Sequence, residues 1–147
     1  LFKVAATHQI PVYCLGAAPG VAQRAIDNVS AQVGVLNIAG IHDGFFDSAE
    51  EQEIIKSIAD SKAKLVFVAL GVPKQEQWIA EKLSHLDGVV AIGIGGSFDV
   101  LAGNIPRAPE WMQQNRLEWL YRLYLEPQRI GRMLAIPKFM WTVIRNK

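Results

Sequence analysis

Four short apolar runs, each followed by a glycine-containing loop, constrain the fold of this chain more than any other feature of its sequence. They are "PVYCL" (11–15), "VLNIA" (35–39), "KLVFVAL" (64–70) and "VVAIGI" (89–94). Stretches with helical character separate them, at roughly 20–32, 48–61 and 74–84. Strands that alternate with helices of this length predict an α/β fold, in which a Rossmann-like parallel sheet has helices on both faces.

The second of these helices has a recognisable start. Ser48 is followed three residues later by Glu51, the spacing of a capping box, and isoleucines follow at helical spacing. The sequence therefore predicts that Ser48 caps this helix and that Asp47 lies just ahead of the cap.

The two ends of the chain differ from its middle. "LFKVAATHQ" reads as a helix that leads into the first strand, and the chain begins without Met, so we expect further sequence to precede it. After residue 106 the strand signals stop and helical periodicity continues. We therefore predict an α/β domain over residues 1–106 and a helical appendage over residues 107–147.

Charge divides at the same boundary. Residues 1–106 contain 7 Lys and Arg against 11 Asp and Glu, a net of −4, whereas residues 107–147 contain 8 against 3, a net of +5. The basic part also holds Trp111, Trp119 and Trp141. Basic residues mixed with aromatic rings are typical of a membrane-surface segment and favour this over nucleic acid. An amphipathic helical cap on the core is the structural alternative, and the pattern leaves both open.

The single cysteine, Cys14, lies in an apolar run and rules out a disulfide within the chain, which favours a small buried side chain in a reducing compartment. No apolar run reaches the roughly 20 residues of a membrane-spanning helix. A cytoplasmic protein is therefore expected.

Ligands of open α/β sheets bind at the carboxyl ends of the strands, so candidate site residues are sought in the loops that follow them. These loops are "GAAPG", "GIHDGFFD", "GVPKQE" and "GGSFDVLAG". Gly16 and Gly20 frame a turn whose helix N-terminus could receive a phosphate, although a tight turn without a ligand explains them equally well. Asp43 and Asp99 supply acidic groups at the same edge.

Several common chemistries lack support in these loops. "GAAPG" matches neither the GxGxxG fingerprint nor a P-loop, and Ser97 is not in a G-x-S-x-G elbow. The three histidines are scattered, so no metal site is predicted. "GVPKQE" places Lys74, Gln75 and Glu76 at the ligand edge, where a substrate site and a solvated first helical turn are equally compatible with the spacing.

Five blocks in order resolve this choice: "GVPKQEQWI", "GIGGSFDVLAG", "RAPEWMQ", "LEWLYRL" and "EPQRIGR". In combination they resemble the WecG/TagA/CpsF family of bacterial glycosyltransferases, of which the chain covers the later part. The resemblance implies transfer of an N-acetylmannosamine-type sugar from UDP to an undecaprenyl-diphosphate-linked acceptor, in synthesis of wall teichoic acid or a related cell-surface polysaccharide. It also implies a peripheral location on the cytoplasmic face of the bacterial plasma membrane.

Residue roles follow from the matching motifs. Gln75 matches a position in the family's substrate pocket, and Lys74 and Glu76 lie beside it. The family's C-terminal appendage is thought to contribute arginines, which here correspond to Arg122, Arg129 and Arg132. Guanidinium groups would stabilise the charge of the departing diphosphate in an inverting displacement without a metal or other cofactor.

The chain departs from the family pattern in one respect. The Asp proposed as the family's general base lies in an N-terminal portion with no counterpart here, so the base is not assigned. A catalytically inactive module that binds a nucleotide-sugar or lipid is therefore the alternative to an active glycosyltransferase. A flavodoxin-like or NAD-dependent oxidoreductase would rest on the α/β alternation alone. The donor sugar, the acceptor and the formation of a homo-oligomer are left open.

Overall fold

The computed structural model describes residues 1–106, 109–115, 117, 120, 121 and 124. The chain divides into two compact units, Leu1–Pro106 and Arg107–Lys147. The elements of the first unit are, in chain order, α1 (Phe2–His8), β1 (Val12–Gly16), α2 (Val21–Val33), β2 (Ile38–His42), α3 (Ser48–Asp60), β3 (Leu65–Ala69), α4 (Lys74–Trp78), a π-helical turn (Ile79–Leu83), β4 (Val90–Gly93) and α5 (Ser97–Leu101).

The four strands form one parallel sheet with the order β2-β1-β3-β4. β1 and β3 lie at its centre, and every residue of both strands is buried. Strands covered on both faces explain why these two runs are apolar throughout rather than alternating. The predicted α/β fold with a parallel sheet and flanking helices is confirmed.

Alternate residues of the central strands enter two separate cores. Val12 and Cys14 of β1 pack with α1, α2 and α5 on one face. Tyr13 and Leu15 pack with α3, α4 and the π-helical turn on the other face. This division follows from the two-residue period of a strand. Because all four strands are parallel, the loops that follow them lie at the same edge of the sheet.

Two local predictions were wrong. The second strand is Ile38–His42 instead of 35–39, because Leu36 enters the core before the strand begins. Asp47, not Ser48, is the N-cap of α3: its carboxylate accepts hydrogen bonds from the backbone of Ala49 and Glu50, at 2.8 and 2.9 Å. Glu50 completes the capping box by accepting from the Asp47 N–H at 3.0 Å.

The second unit is described in part. It contains α6 (Glu110–Gln114), with Pro109 as its N-cap and Asn115 as its C-cap. Arg122, Arg129 and Arg132, and most of the predicted appendage, lie outside the described residues. Within the part of the chain that the structure describes, no helix is both long and apolar enough to cross a membrane.

Candidate functional site

The loops after β1 and β3 meet where the order of the strands reverses. α2 carries the chain from β1 to one side of the sheet, and α3 carries it back past β1 to β3. The Ala17 N–H donates to the Ala69 carbonyl across this junction at 3.1 Å. A crevice at such a reversal is where open α/β sheets bind ligands.

Gly16 makes this close approach possible. Its φ is +121°, and a Cβ built on it would lie 2.5 Å from the carbonyl carbon and oxygen of Ala69. Gly20, also at positive φ, is the N-cap of α2, and no side chain caps the start of that helix. Both glycines predicted for the site therefore lie at its edge, with backbone rather than side chains facing the junction.

The loop after β2 packs against the loop after β1. The Gly44 N–H donates to the Ala17 carbonyl at 2.8 Å. Asp43 folds this loop on itself, because its carboxylate accepts from the Phe45 N–H at 2.9 Å. Nδ1 of His42 lies 3.0 Å from the Asp43 carbonyl oxygen, to which it donates a hydrogen bond in the tautomer protonated at Nδ1. Asp43 is thus at the predicted edge with one carboxylate oxygen engaged locally.

The predicted trio after β3 separates into three environments. Nζ of Lys74 lies over the Phe46 ring, 5.6 Å from its centroid, in a cation–π contact. Gln75 is buried, with 2% of its surface exposed, whereas Glu76 is exposed. The Val72–Pro73 peptide before them is cis. Lys74 and Glu76 are therefore exposed beside this edge of the sheet, whereas Gln75 turns into the interior.

The amide of Gln75 joins two loops of the site. Its Oε1 accepts from the Gly95 N–H at 2.9 Å, in the loop after β4. Its Nε2 donates to Oε1 of Glu76 at 2.8 Å. Asp99 follows in the first turn of α5, half-buried, with Asn104 Nδ2 3.5 Å from its carboxylate.

Glu51 of α3 links that helix to α4 and to the π-helical turn through a hydrogen bond and an ion pair. Nε1 of Trp78 donates to Oε1 of Glu51 at 2.8 Å, and Nζ of Lys82 lies 2.9 Å from the other carboxylate oxygen. The hydrogen bond from Lys82 lowers the pKa of Glu51, and the same contact raises the pKa of Lys82. These contacts could not be predicted from the sequence, since Glu51 fits a capping position equally well.

The structure thus brings the candidate residues of the first unit to the carboxyl edge of one sheet, on the four loops and the helices that follow them. Their exposed groups are an ammonium, carboxylates and backbone N–H groups, which can bind hydroxyls, a base edge or phosphate. No cluster of three or more metal-ligating side chains occurs among the described residues.

Comparison with known proteins gives a family and close relatives. The model of the family described as "Glycosyl transferase WecG/TagA/CpsF family" matches residues 1–147. A protein of Bacillus subtilis (strain 168) is 40% identical over 147 residues, which are 57% of its length. A second, from Bacillus spizizenii (strain ATCC 23059 / NRRL B-14472 / W23), is 42% identical over 137 residues, 92% of this chain and 52% of the relative.

A third relative, from Staphylococcus aureus (strain NCTC 8325 / PS 47), is 34% identical over 145 residues, 99% of this chain and 56% of the relative. All three relatives are named N-acetylglucosaminyldiphosphoundecaprenol N-acetyl-beta-D-mannosaminyltransferase. The chain spans about half the length of these curated relatives.

Proposed function

Because the chain belongs to the WecG/TagA/CpsF family of glycosyl transferases, we propose that the protein transfers N-acetylmannosamine to N-acetylglucosaminyldiphosphoundecaprenol. The observation that carries this proposal is 40% identity over all 147 residues to a relative with that name. The product would serve the synthesis of wall teichoic acid or a related surface polysaccharide. The donor in this proposal is a UDP-sugar.

The carboxyl edge of the sheet around the loops after β1 and β3 is the proposed donor site. Gly16 and Gly20 leave backbone open to a diphosphate at the start of α2. Lys74 adds a positive charge on the neighbouring loop, and Glu76 and Asp99 offer acceptors for sugar or ribose hydroxyls. The position of these residues at the topological switch point of the sheet supports the assignment.

The proposed chemistry is an inverting displacement at the anomeric carbon of the sugar. The acceptor hydroxyl attacks, its proton passes to a base, and the bond to the UDP oxygen breaks so that UDP leaves with the electron pair. Arg122, Arg129 and Arg132 would stabilise the charge on that diphosphate, so the proposal includes no metal or other cofactor. The base is not assigned to Asp43, Asp99 or any other residue of this chain.

A peripheral position on the inner face of the plasma membrane completes the proposal. The acceptor named in the relatives carries an undecaprenyl lipid, and residues 107–147 carry a net charge of +5. Cations of this segment would be attracted by anionic headgroups, by about 1 kcal/mol for each Lys or Arg near the surface.

Two measurements test the proposal. The first is titration calorimetry of the protein with UDP, with ADP as the control for the base. The second follows transfer of labelled N-acetylmannosamine from its UDP-sugar to a short-chain analogue of the lipid acceptor. UDP binding together with transfer is expected. UDP binding without transfer would favour a nucleotide-sugar-binding module. The absence of both UDP binding and transfer would reject the proposed function.

A set of arginine variants tests the assigned leaving-group role. In the full-length enzyme, Arg129→Ala and Arg132→Ala should lower the rate of transfer more than they lower stability, since their charge is needed chiefly in the transition state. Arg145→Ala, a charge removed from the same segment outside the matching motifs, is the control. A lower melting temperature at unchanged turnover would show that Arg129 and Arg132 are structural.

A further inference from the structure

Gln75 stands out at this edge because its side chain is polar, buried and hydrogen-bonded at both ends of its amide. Among the described residues, it is the only Asn, Gln or charged residue that is buried. Its carbonyl oxygen accepts from the Gly95 N–H and its amide nitrogen donates to the carboxylate of Glu76. A buried amide with both ends paired costs little, whereas the loss of one partner leaves a polar group without water.

One glycine of β4 and one of the loop that follows it are fitted to this side chain. A Cβ built on Gly93 would lie 2.6 Å from Nε2 and 2.9 Å from Cδ of Gln75. Gly95 has a φ of +53°, a left-handed conformation that glycine adopts at little cost. Gly93 therefore leaves the space that the Gln75 side chain occupies, and Gly95 provides the N–H group that its amide oxygen accepts from.

The same hydrogen bonds determine what the edge of the sheet presents to a ligand. Nε2 of Gln75 holds one oxygen of Glu76, and Glu76 is exposed. Gly95 lies two residues before Ser97, where α5 begins, and α5 carries Asp99. The amide of Gln75 thus links the orientation of Glu76 to the loop that leads into α5.

We propose that Gln75 is a positioning residue, which fixes Glu76 and the Gly95 loop, and that Glu76 is the group in "GVPKQE" that contacts the donor. This inference rests on the proposed function, since it assigns roles at the proposed donor site. It differs from a direct role for Gln75, in which its amide would bind the donor and the loop would hold its shape without it.

The test measures two quantities in one pair of variants: protection of the Gly95 amide without ligand, and affinity for UDP. Gln75→Met keeps the length of the side chain and removes both hydrogen bonds. Gln77→Met makes the same exchange at an exposed position of the same helix and is the matched control. Hydrogen exchange of the Gly95 amide is followed by NMR without ligand, and UDP affinity is measured by calorimetry.

We expect Gln75→Met to lower the protection of the Gly95 amide by about fivefold, the factor that corresponds to one ordinary hydrogen bond. UDP affinity should fall in the same variant, and Gln77→Met should change neither quantity. Lower UDP affinity with unchanged protection at Gly95 would overturn the inference and make Gln75 a direct ligand.

A second variant perturbs the amide without replacing it. Gly93→Ala should displace Gln75, because the added Cβ would overlap its side chain, and should also lower protection at Gly95. It covers the case in which Gln75→Met does not fold. Full protection at Gly95 in a folded Gly93→Ala protein would contradict the proposed linkage.

A reciprocal exchange separates a specific hydrogen-bonded pair from a merely structural effect. Gln75→Glu alone places a second carboxylate beside Glu76 and should reduce UDP affinity. The double variant with Glu76→Gln restores one donor and one acceptor, so protection of the Gly95 amide should recover toward the wild-type value. A double variant whose Gly95 amide is as unprotected as in the single variant would reject the positioning role.

The two hypotheses fail in different ways. A wild-type protein that binds no UDP would reject the proposed donor site. Protection at Gly95 is measured without ligand, so an amide that is unprotected in the wild type, or that is indifferent to Gln75→Met, rejects the positioning role whatever the protein binds.

Discussion

Gly16 ends β1 directly opposite Ala69 of β3, and its replacement by alanine should be among the most damaging small substitutions in the chain. Its φ is +121°, and a Cβ would lie 2.5 Å from the carbonyl carbon and oxygen of Ala69. Carbon atoms in contact are normally about 3.5–4.0 Å apart. Both neighbours belong to backbone, so a side-chain rotation cannot relieve the overlap.

The expected loss of stability is the sum of three effects. A non-glycine residue at such a backbone angle costs ~1–3 kcal/mol. Overpacking costs a further ~1–3 kcal/mol. Separation of the strands would also break the hydrogen bond from Ala17 to Ala69, 3.1 Å long, at about 1 kcal/mol. Gly16→Ala should therefore lower the free energy of unfolding by about 3–7 kcal/mol, a large part of the ~5–15 kcal/mol of a typical domain.

Two other glycines separate the backbone effect from the contact. Gly34 has a φ of +97° and no heavy atom within 4 Å of a built Cβ, so Gly34→Ala should cost only ~1–3 kcal/mol. Gly44 has no left-handed φ, but its Cβ would lie 3.2 Å from the Cα of Gly16. Gly44→Ala should therefore cost about 1 kcal/mol through contact alone.

Urea denaturation followed by circular dichroism measures all three variants against the wild type. The expected order of destabilisation is Gly16→Ala first, with both other variants well below it. A Gly16→Ala protein no less stable than Gly34→Ala would show that the strands separate at no cost and would refute the reasoning. Should Gly16→Ala fail to fold, a neutral Gly44→Ala protein would refute it instead.

Three further predictions concern a cap, an ion pair and a thiol. Asp47→Ala should cost about 1 kcal/mol in urea denaturation and Ser48→Ala less than ~0.5 kcal/mol, because Asp47 caps α3; equal losses would contradict that assignment. Glu51→Gln should lower the unfolding midpoint at neutral pH. Lys82 lowers the folded-state pKa of Glu51, so the stability that the ionised carboxylate contributes is complete above its usual pKa of 4.5 and is lost as the pH falls through the lower folded-state pKa. A difference in stability between wild type and Glu51→Gln that persists in acid would rule out the ion pair as its source. Burial raises the pKa of Cys14 to about 12, so a thiol reagent should modify it only as fast as the protein unfolds, and rapid modification in native buffer would disprove its burial.

Much of the fold could be predicted because it depends on local pattern. Apolar runs separated by helical stretches specify parallel strands, since both faces of such strands must be covered. α2 was expected over 20–32 and is found at Val21–Val33. α3 was expected over 48–61 and is found at Ser48–Asp60. Short-range periodicity and turn residues determine these features, so they can be read without knowledge of distant contacts.

The wrong N-cap for α3 was predicted because two capping boxes are possible in its sequence. Both Asp47 with Glu50 and Ser48 with Glu51 have capping-box spacing. The choice depends on Trp78 and Lys82, which take both oxygens of the Glu51 carboxylate from a helix further along the chain. No pattern within α3 contains that information.

The fold class, the family and the edge of the sheet at which the candidate residues lie could all be read from the sequence. Which of these residues point outward depends on tertiary contacts: Gln75 turns into the interior to meet Gly95, 20 residues away, while Glu76 stays exposed. The closure of Gly16 onto Ala69 was decided in the same way. Sequence spacing assigns a residue to an element and an edge, whereas the direction of its side chain depends on space and hydrogen-bond partners that distant parts of the chain provide.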